Sequence, residues 1–173
     1  MTTNKIANLA IEYYSKYPST MRDDILHTQE VVCYTRMIAI GEGLSPKEVE
    51  MQEAAAWLHD IGCPRSKELY GNSLPQNQQS VGRDVAHELL QNVAELTADE
   101  KGWLVDVVGT HHQFADSQKL SFAPLFEADL IVNILSGYFK KEQAENLYKT
   151  LVTSKTGQSL FKGVVCKALN IQF

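Results

Sequence analysis

Cysteine is scarce in this sequence, long apolar runs are missing, and positive charge is not in excess. The three cysteines, at positions 33, 63 and 166, are widely spaced and form no CxxC pair, which suits a reducing compartment and argues against a zinc ribbon. No apolar run approaches the roughly 20 residues of a membrane span, and the N-terminal segment lacks the apolar stretch of a signal peptide. These absences predict a cytoplasmic protein with no membrane partner.

The charge balance is mildly acidic, with a net charge of −5. Proteins that bind duplex nucleic acid usually carry a basic excess, so duplex nucleic acid is not an expected partner. A small phosphorylated ligand remains compatible with this balance, because a metal ion or a few local basic residues can hold one.

Length and periodicity indicate the fold class. The chain has 173 residues, of which 44% are hydrophobic and 21% charged, as in an ordinary globular domain. Helical periodicity dominates and the alternation typical of strands is nearly absent, so we predict an all-α bundle of about seven helices in a single domain, residues 1–173. The helices are expected at about 4–16, 22–41, 46–61, 78–93, 98–112 and 124–137, with one or two more over 140–170. Loops are expected at 65–77 and 113–121.

Two histidines and an aspartate are expected near the ends of the second and third helices. His27 shares a helical stripe with Val31 and Ile38, which points it inward; the alternative is a core histidine satisfied by one hydrogen bond. His59 and Asp60 end the third helix in AAAWLHDIG. Adjacent helical residues point about 100° apart, but at a helix end both can reach one point. The alternative there is a terminal histidine beside an exposed aspartate.

The other histidines differ in helical phase. His111 and His112 lie at or beside an apolar stripe that includes Val107 and Val108, so we expect them to face the interior; the alternative is a solvated, frayed helix end. His87 points away from the buried face of its helix and is expected at the surface.

Asp129 is the most anomalous charged residue, because it lies within the apolar segment PLFEADLIVNIL. An unpaired buried carboxylate costs several kcal/mol, so it requires a cation. The alternative to a metal is a salt bridge to Arg or Lys. Together His27, His59, Asp60 and Asp129 offer nitrogen and oxygen ligands from three helices, which suits Fe, Mn, Ni, Co or Zn. No cysteine is expected to join them.

At these residues the chain resembles the HD superfamily of metal-dependent phosphohydrolases. The resemblance covers about residues 20–140 and consists of a helical histidine, a His-Asp pair and a later aspartate, with the C-terminal helices at about 140–170 outside it. It implies an HD-domain bundle in which His27, His59, Asp60 and Asp129 hold one divalent transition metal.

The segment VGTHHQF resembles branches of the superfamily that bind two metals. By that resemblance Asp60 would bridge to a second metal held by His111 and His112. One departure weakens this second position, because Gln78 stands where those branches usually have a histidine. We therefore expect one tightly held metal and a weaker second one.

The resemblance implies hydrolysis of a phosphate ester or anhydride in a nucleotide or similar small phosphorylated molecule. Arg22, Arg65, Lys67 and Gln78 are candidates for binding this substrate, and 65–77 is the candidate covering loop; the alternative for the basic residues is an ordinary solvated charge. Two other functions fit the same pattern: a di-iron oxygenase of the superfamily, and a non-enzymatic module that senses nucleotides. The helices after about 140 offer a surface for an oligomer.

Overall fold

The computed structural model describes residues 2–172, and its regular structure there is entirely helical, which confirms the all-α class. None of the described helices is both long enough and apolar enough to span a membrane. The helices are α1 (Thr2–Tyr14), α2 (Met21–Gly41), α3 (Pro46–Leu58), α4 (Cys63–Tyr70), α5 (Pro75–Leu90), α6 (Ala98–Thr110), α7 (Phe114–Lys119), α8 (Ala123–Leu135), α9 (Ala144–Leu151), α10 (Lys155–Leu160) and α11 (Lys167–Leu169), with a 3-10 turn at Lys141–Gln143 and a π-helical segment at Phe161–Cys166.

Two segments that were expected to be loops contain helices, so the expectation of about seven helices was too low. Residues 65–77 were predicted as loop, but α4 occupies most of the first half of that segment. Pro64 stands at the first helical positions, where its missing N–H costs nothing, and Gly71 ends the helix with a left-handed φ of 70°. The loop-forming residue types therefore mark the ends of α4. Likewise, α7 lies within the predicted loop 113–121.

Helix α8 runs through the core and packs mainly against α2, while α2 packs against α3 and α5 against α6. Ten of the thirteen residues of α8 are buried, because this helix is apolar on nearly every face. A charged residue in the middle of such a helix has little access to water. Asp129 is in that position, 7% exposed.

Matched caps fix where α3 and α6 begin and therefore where they end. Ser45 with Glu48, and Thr97 with Glu100, form complete capping boxes, in which each side chain satisfies a backbone N–H of the first turn. Each helix then runs for 13 residues, and the position that follows it is a histidine: His59 after α3 and His111 after α6.

The turn after α3 depends on a close backbone contact at Gly62. A Cβ at this position would lie 2.2 Å from the carbonyl oxygen of Gln78 and 2.6 Å from the backbone nitrogen of Gly82. Backbone atoms of α5 cannot move aside as a side chain can. Gly62 thus lets the His59–Asp60 turn approach α5 closely.

We predict that Gly62→Ala lowers the free energy of unfolding by about 2 kcal/mol, because the new methyl group overpacks this contact. The matched control is Gly102→Ala in α6, where an added Cβ meets nothing within 4 Å and helix propensity favours alanine by up to about 1 kcal/mol. Urea denaturation of both variants measures the effect. Equal stability of the two variants would contradict the account of the turn.

Candidate metal centre

Four predicted ligands meet between α2, the end of α3 and α8. His27 Nε2 lies 3.2 Å from Asp129 Oδ1, 3.4 Å from Asp60 Oδ2 and 3.3 Å from His59 Nε2. His59 Nε2 lies 3.5 Å from Asp60 Oδ2 and 3.6 Å from Asp129 Oδ1. The structure therefore brings together the donor atoms of all four residues.

These separations match those of ligands around one ion. Donor atoms bound about 2.1 Å from a metal lie about 3.0 Å apart at right angles and about 3.4 Å apart at the tetrahedral angle. The five distances given above run from 3.2 to 3.6 Å. His27, His59 and Asp60 form one group able to hold a metal ion, and Asp129 adds a second carboxylate beside both imidazoles.

Backbone carbonyls orient two of the imidazoles. His59 Nδ1 lies 2.7 Å from the carbonyl oxygen of Ala56, and His111 Nδ1 lies 2.8 Å from that of Val108. A carbonyl oxygen only accepts, so Nδ1 carries a proton and donates in each case. In the neutral rings Nε2 then keeps its lone pair and faces the carboxylates, as in many metal-binding histidines.

Opposite charges at the centre stabilise one another. Burial lowers the pKa of His59, but Asp60 and Asp129 outweigh burial and raise it to about 9. Burial also raises the pKa of both carboxyl groups, yet the imidazoles of His59, His111 and His27 hold the pKa of Asp60 well below its usual range, and His27 and His59 lower that of Asp129. A proton on His59 thus offsets part of the negative charge. A divalent cation can replace that proton, because imidazole binds metals in its neutral form.

A second group of donors shares Asp60. Asp60, His111 and His112 also form a group able to hold a metal ion. Asp60 Oδ1 lies 3.3 Å from His111 Nε2, but neither atom has a hydrogen-bond partner among the described residues. When His111 is neutral, with its proton on Nδ1, both of these atoms are acceptors, and a cation bound to both would stabilise the arrangement.

Gln78 and Cys63 border this second group. The Gln78 amide nitrogen donates to His112 Nε2, and the Cys63 thiol donates to the Gln78 amide oxygen. Burial, followed by the neighbouring His111, lowers the pKa of His112 to about 4, so His112 is neutral at neutral pH. Gln78 therefore faces the site and engages the nitrogen of His112 that a second metal would need.

Cys63 lies beside the ligands, although neither ligand group includes it. Its side chain is buried, lines the pocket of the metal centre and contacts Gln78. Burial, reinforced by Asp60, raises the pKa of its thiol well above the usual range, so it remains protonated. The sequence signal was its place three residues after Asp60, on the first turn of α4, a helix that was not predicted.

The pocket over the ligands has a volume of about 260 Å³. Lys67 lies at its wall, with Nζ 3.5 Å from Asp24 Oδ1, while Asp24 Oδ2 has no hydrogen-bond partner in the described part of the chain. Three aromatic side chains also line the wall: Phe126, Tyr138 and Phe139.

Asn133 holds the Asp129 carboxylate in position. Its side-chain N–H donates to Asp129 Oδ1 over 2.9 Å. Asn133 lies one helical turn after Asp129, and its role was not predicted from the sequence.

Of the three basic residues proposed as phosphate contacts, only Lys67 lines the pocket. Arg22 is exposed and lies 3.6 Å from Asp23 Oδ1. Arg65 is exposed and lies beside Tyr13 of α1. Because α4 is a helix, residues two positions apart point about 200° from each other, so Arg65 and Lys67 face different sides. His87 is exposed on α5 and away from the centre, as its helical phase predicts.

Comparison with protein-family models, with curated proteins and with solved structures finds no match to this chain. The functional interpretation therefore depends on the residues and geometry of the site.

We predict that Asp60→Ala releases the metal during dialysis against a mild chelator, because Asp60 contributes to both ligand groups and its loss leaves mostly neutral donors. The control is His87→Ala, which removes a histidine outside both groups and should retain the wild-type metal content. Elemental analysis gives metal per chain. Full retention in Asp60→Ala, or loss of metal in His87→Ala, would contradict the ligand assignment.

Proposed function

We propose that this chain is a metal-dependent phosphohydrolase of the HD superfamily. It binds one divalent transition metal tightly through His27, His59, Asp60 and Asp129. It hydrolyses a phosphate ester or anhydride in a nucleotide or a similar small phosphorylated molecule.

The observation that carries this proposal is the meeting of the four ligands. Two imidazoles and two carboxylates from three parts of the chain converge, in the order of residue types that characterises the resemblance. Each imidazole nitrogen lies 3.2 to 3.6 Å from both carboxylates, and the two nitrogens lie 3.3 Å apart. Such a donor set suits Fe, Mn, Ni, Co or Zn. A divalent ion bound there supplies a Lewis acid to the phosphoryl oxygen and lowers the pKa of an adjacent water.

The residues around the ligands have distinct roles in this proposal. Asn133 fixes the carboxylate of Asp129 by hydrogen bonding. Lys67 offers the phosphate a positive charge at the pocket wall, although it must share that charge with Asp24. We assign proton transfer to the leaving-group oxygen, or from the attacking water, to His111, oriented by the carbonyl of Val108, or to His112.

The pocket wall supports a substrate with a planar organic part. Phe126, Tyr138 and Phe139 line the same pocket as the ligands and Lys67. Aromatic faces stack on nucleobases of any sequence. A phosphate at the ligands and a base against the aromatic wall would use both parts of the pocket.

The experiment has two steps. Protein purified without added metal is analysed for metal, and phosphate release is then screened over nucleotides and simple phosphate esters with each of the five metals added. We expect turnover with at least one metal and none in Asp129→Asn, with His87→Ala as the active control. Saturable nucleotide binding without turnover in every metal would contradict the enzymatic proposal and favour a sensing module.

A di-iron oxygenase is the second candidate, and the observation in its favour is the ligand group of Asp60, His111 and His112. Oxygen activation of this kind requires two metals that share Asp60. The hydrogen bond from Gln78 to His112 competes with the second metal. Oxygen consumption with a diol or phosphonate substrate distinguishes this candidate from hydrolysis.

We predict that the double variant His111→Ala/His112→Ala keeps one metal per chain but loses about 100-fold or more in turnover, since proton transfer by a positioned side chain contributes at least that much. The first ligand group contains neither residue, so its metal should survive dialysis. Elemental analysis and phosphate release on the same preparation give both quantities. The one-metal account would be refuted if the wild type kept two metal ions per chain after dialysis and the double variant kept only one.

A further inference from the structure

Asp24 is a charged residue of the metal pocket to which the proposed hydrolysis gives no chemical role. It lines the same pocket as the ligands, and its side chain is 14% exposed. Asp24 lies three residues before His27 on α2. Residues at this spacing are neighbours on one helix face, with Cβ atoms about 5–6 Å apart. A group bound at Asp24 would therefore adjoin a phosphate bound at the metal centre.

The carboxylate of Asp24 is poorly satisfied within the protein, although an ionised carboxylate can accept about four hydrogen bonds. Asp24 Oδ1 lies 3.5 Å from Lys67 Nζ, well beyond the length of about 2.7–2.9 Å that is usual for a charge-assisted hydrogen bond. Asp24 Oδ2 is covered and has no hydrogen-bond partner among residues 2–172. Because Oδ2 is covered, Oδ1 is the oxygen that can accept from a ligand.

Charge decides which kind of group Asp24 can bind. Its negative charge repels a phosphoryl group, and Lys67 already offsets that charge, so an ammonium group gains little there. A neutral hydroxyl donates to a carboxylate without either penalty, in a hydrogen bond that is stronger than one between neutral groups. Ser73 and Lys67 line the same pocket and can donate in turn to the oxygen of a bound hydroxyl.

We infer that Asp24 determines specificity by accepting a hydrogen bond from a hydroxyl group next to the phosphate, so that the substrate is a phosphorylated sugar, free or within a ribonucleotide. This inference rests on the proposed function, because a phosphate at the metal centre places the sugar beside Asp24. The sugar hydroxyl lies against Asp24 Oδ1. Asp24 takes no part in the phosphoryl step itself.

Two phosphate esters with the same ring test the inference. Ribose 5-phosphate carries ring hydroxyls, whereas tetrahydrofurfuryl phosphate has the same ring and phosphate linkage without them. Metal-loaded protein is titrated with each ester by calorimetry, which gives Kd, and phosphate release from each gives kcat/KM. We expect the wild type to favour ribose 5-phosphate at least about tenfold, the effect of one hydrogen bond to a charged group.

Asp24→Ala separates recognition of the hydroxyl from a structural role. The variant should lose most of the preference for ribose 5-phosphate. It should also bind inorganic phosphate more tightly, because Lys67 no longer shares its charge with a carboxylate. Asp24→Asn preserves the side-chain shape and should reduce the preference in the same direction. The matched control is Asp23→Ala, which removes an exposed carboxylate beside Arg22 and should keep the wild-type preference.

Equal binding of the two esters by the wild type would overturn the inference, as would absence of ribose 5-phosphate binding. An unchanged preference in both Asp24 variants, or its loss in Asp23→Ala, would also overturn it. The proposed hydrolysis is judged separately. If neither ester is turned over, calorimetry still measures the preference; if both are turned over with equal kcat/KM, the hydrolysis stands and the role of Asp24 is refuted.

Discussion

Asp60 and Asp129 bring two carboxylates into one pocket, and the attraction between these carboxylates and the imidazoles around them is the constraint on which the site depends. The carboxylate of Asp129 has little contact with bulk water, because α8 is buried on nearly every face and only 7% of the residue is exposed, at the pocket. Its charge is offset instead by His27 and His59, at 3.2 and 3.6 Å. A divalent cation would meet the same requirement more fully, since all four donors could then bind in their metal-binding forms.

The fold serves this cluster by controlling where helices end. Capping boxes start α3 and α6, and 13 residues later each helix delivers a histidine whose Nδ1–H donates to a carbonyl in its own last turn. The contact of Gly62 with α5 then brings the His59–Asp60 turn close to Gln78. Helix length, capping boxes and the glycine contact together set the position of the ligand atoms.

Helical periodicity was sufficient to predict the all-α class and the inward direction of His27, because phase on a long helix depends only on sequence spacing. The apolar residues that flank Asp129 were sufficient to predict its burial. Periodicity was insufficient to predict α4, because the flanking Pro64 and Gly71 are residue types common in loops. Without that helix, the sequence could not separate Arg65 from Lys67, which face different sides of α4. Cys63 was missed for a different reason: its significance comes from its tertiary neighbours on the pocket wall. No local pattern distinguishes such residues from ordinary core residues.

Anomalous X-ray scattering at the metal absorption edges, from crystals of protein purified without added metal, tests the central claim most directly. The account predicts a strong peak about 2.0–2.3 Å from His27 Nε2, His59 Nε2 and an oxygen each of Asp60 and Asp129. Any peak between Asp60 and His111 should be weaker. The account is contradicted if the metal lies elsewhere, or if none of Fe, Mn, Ni, Co or Zn gives a peak among these four residues after soaking.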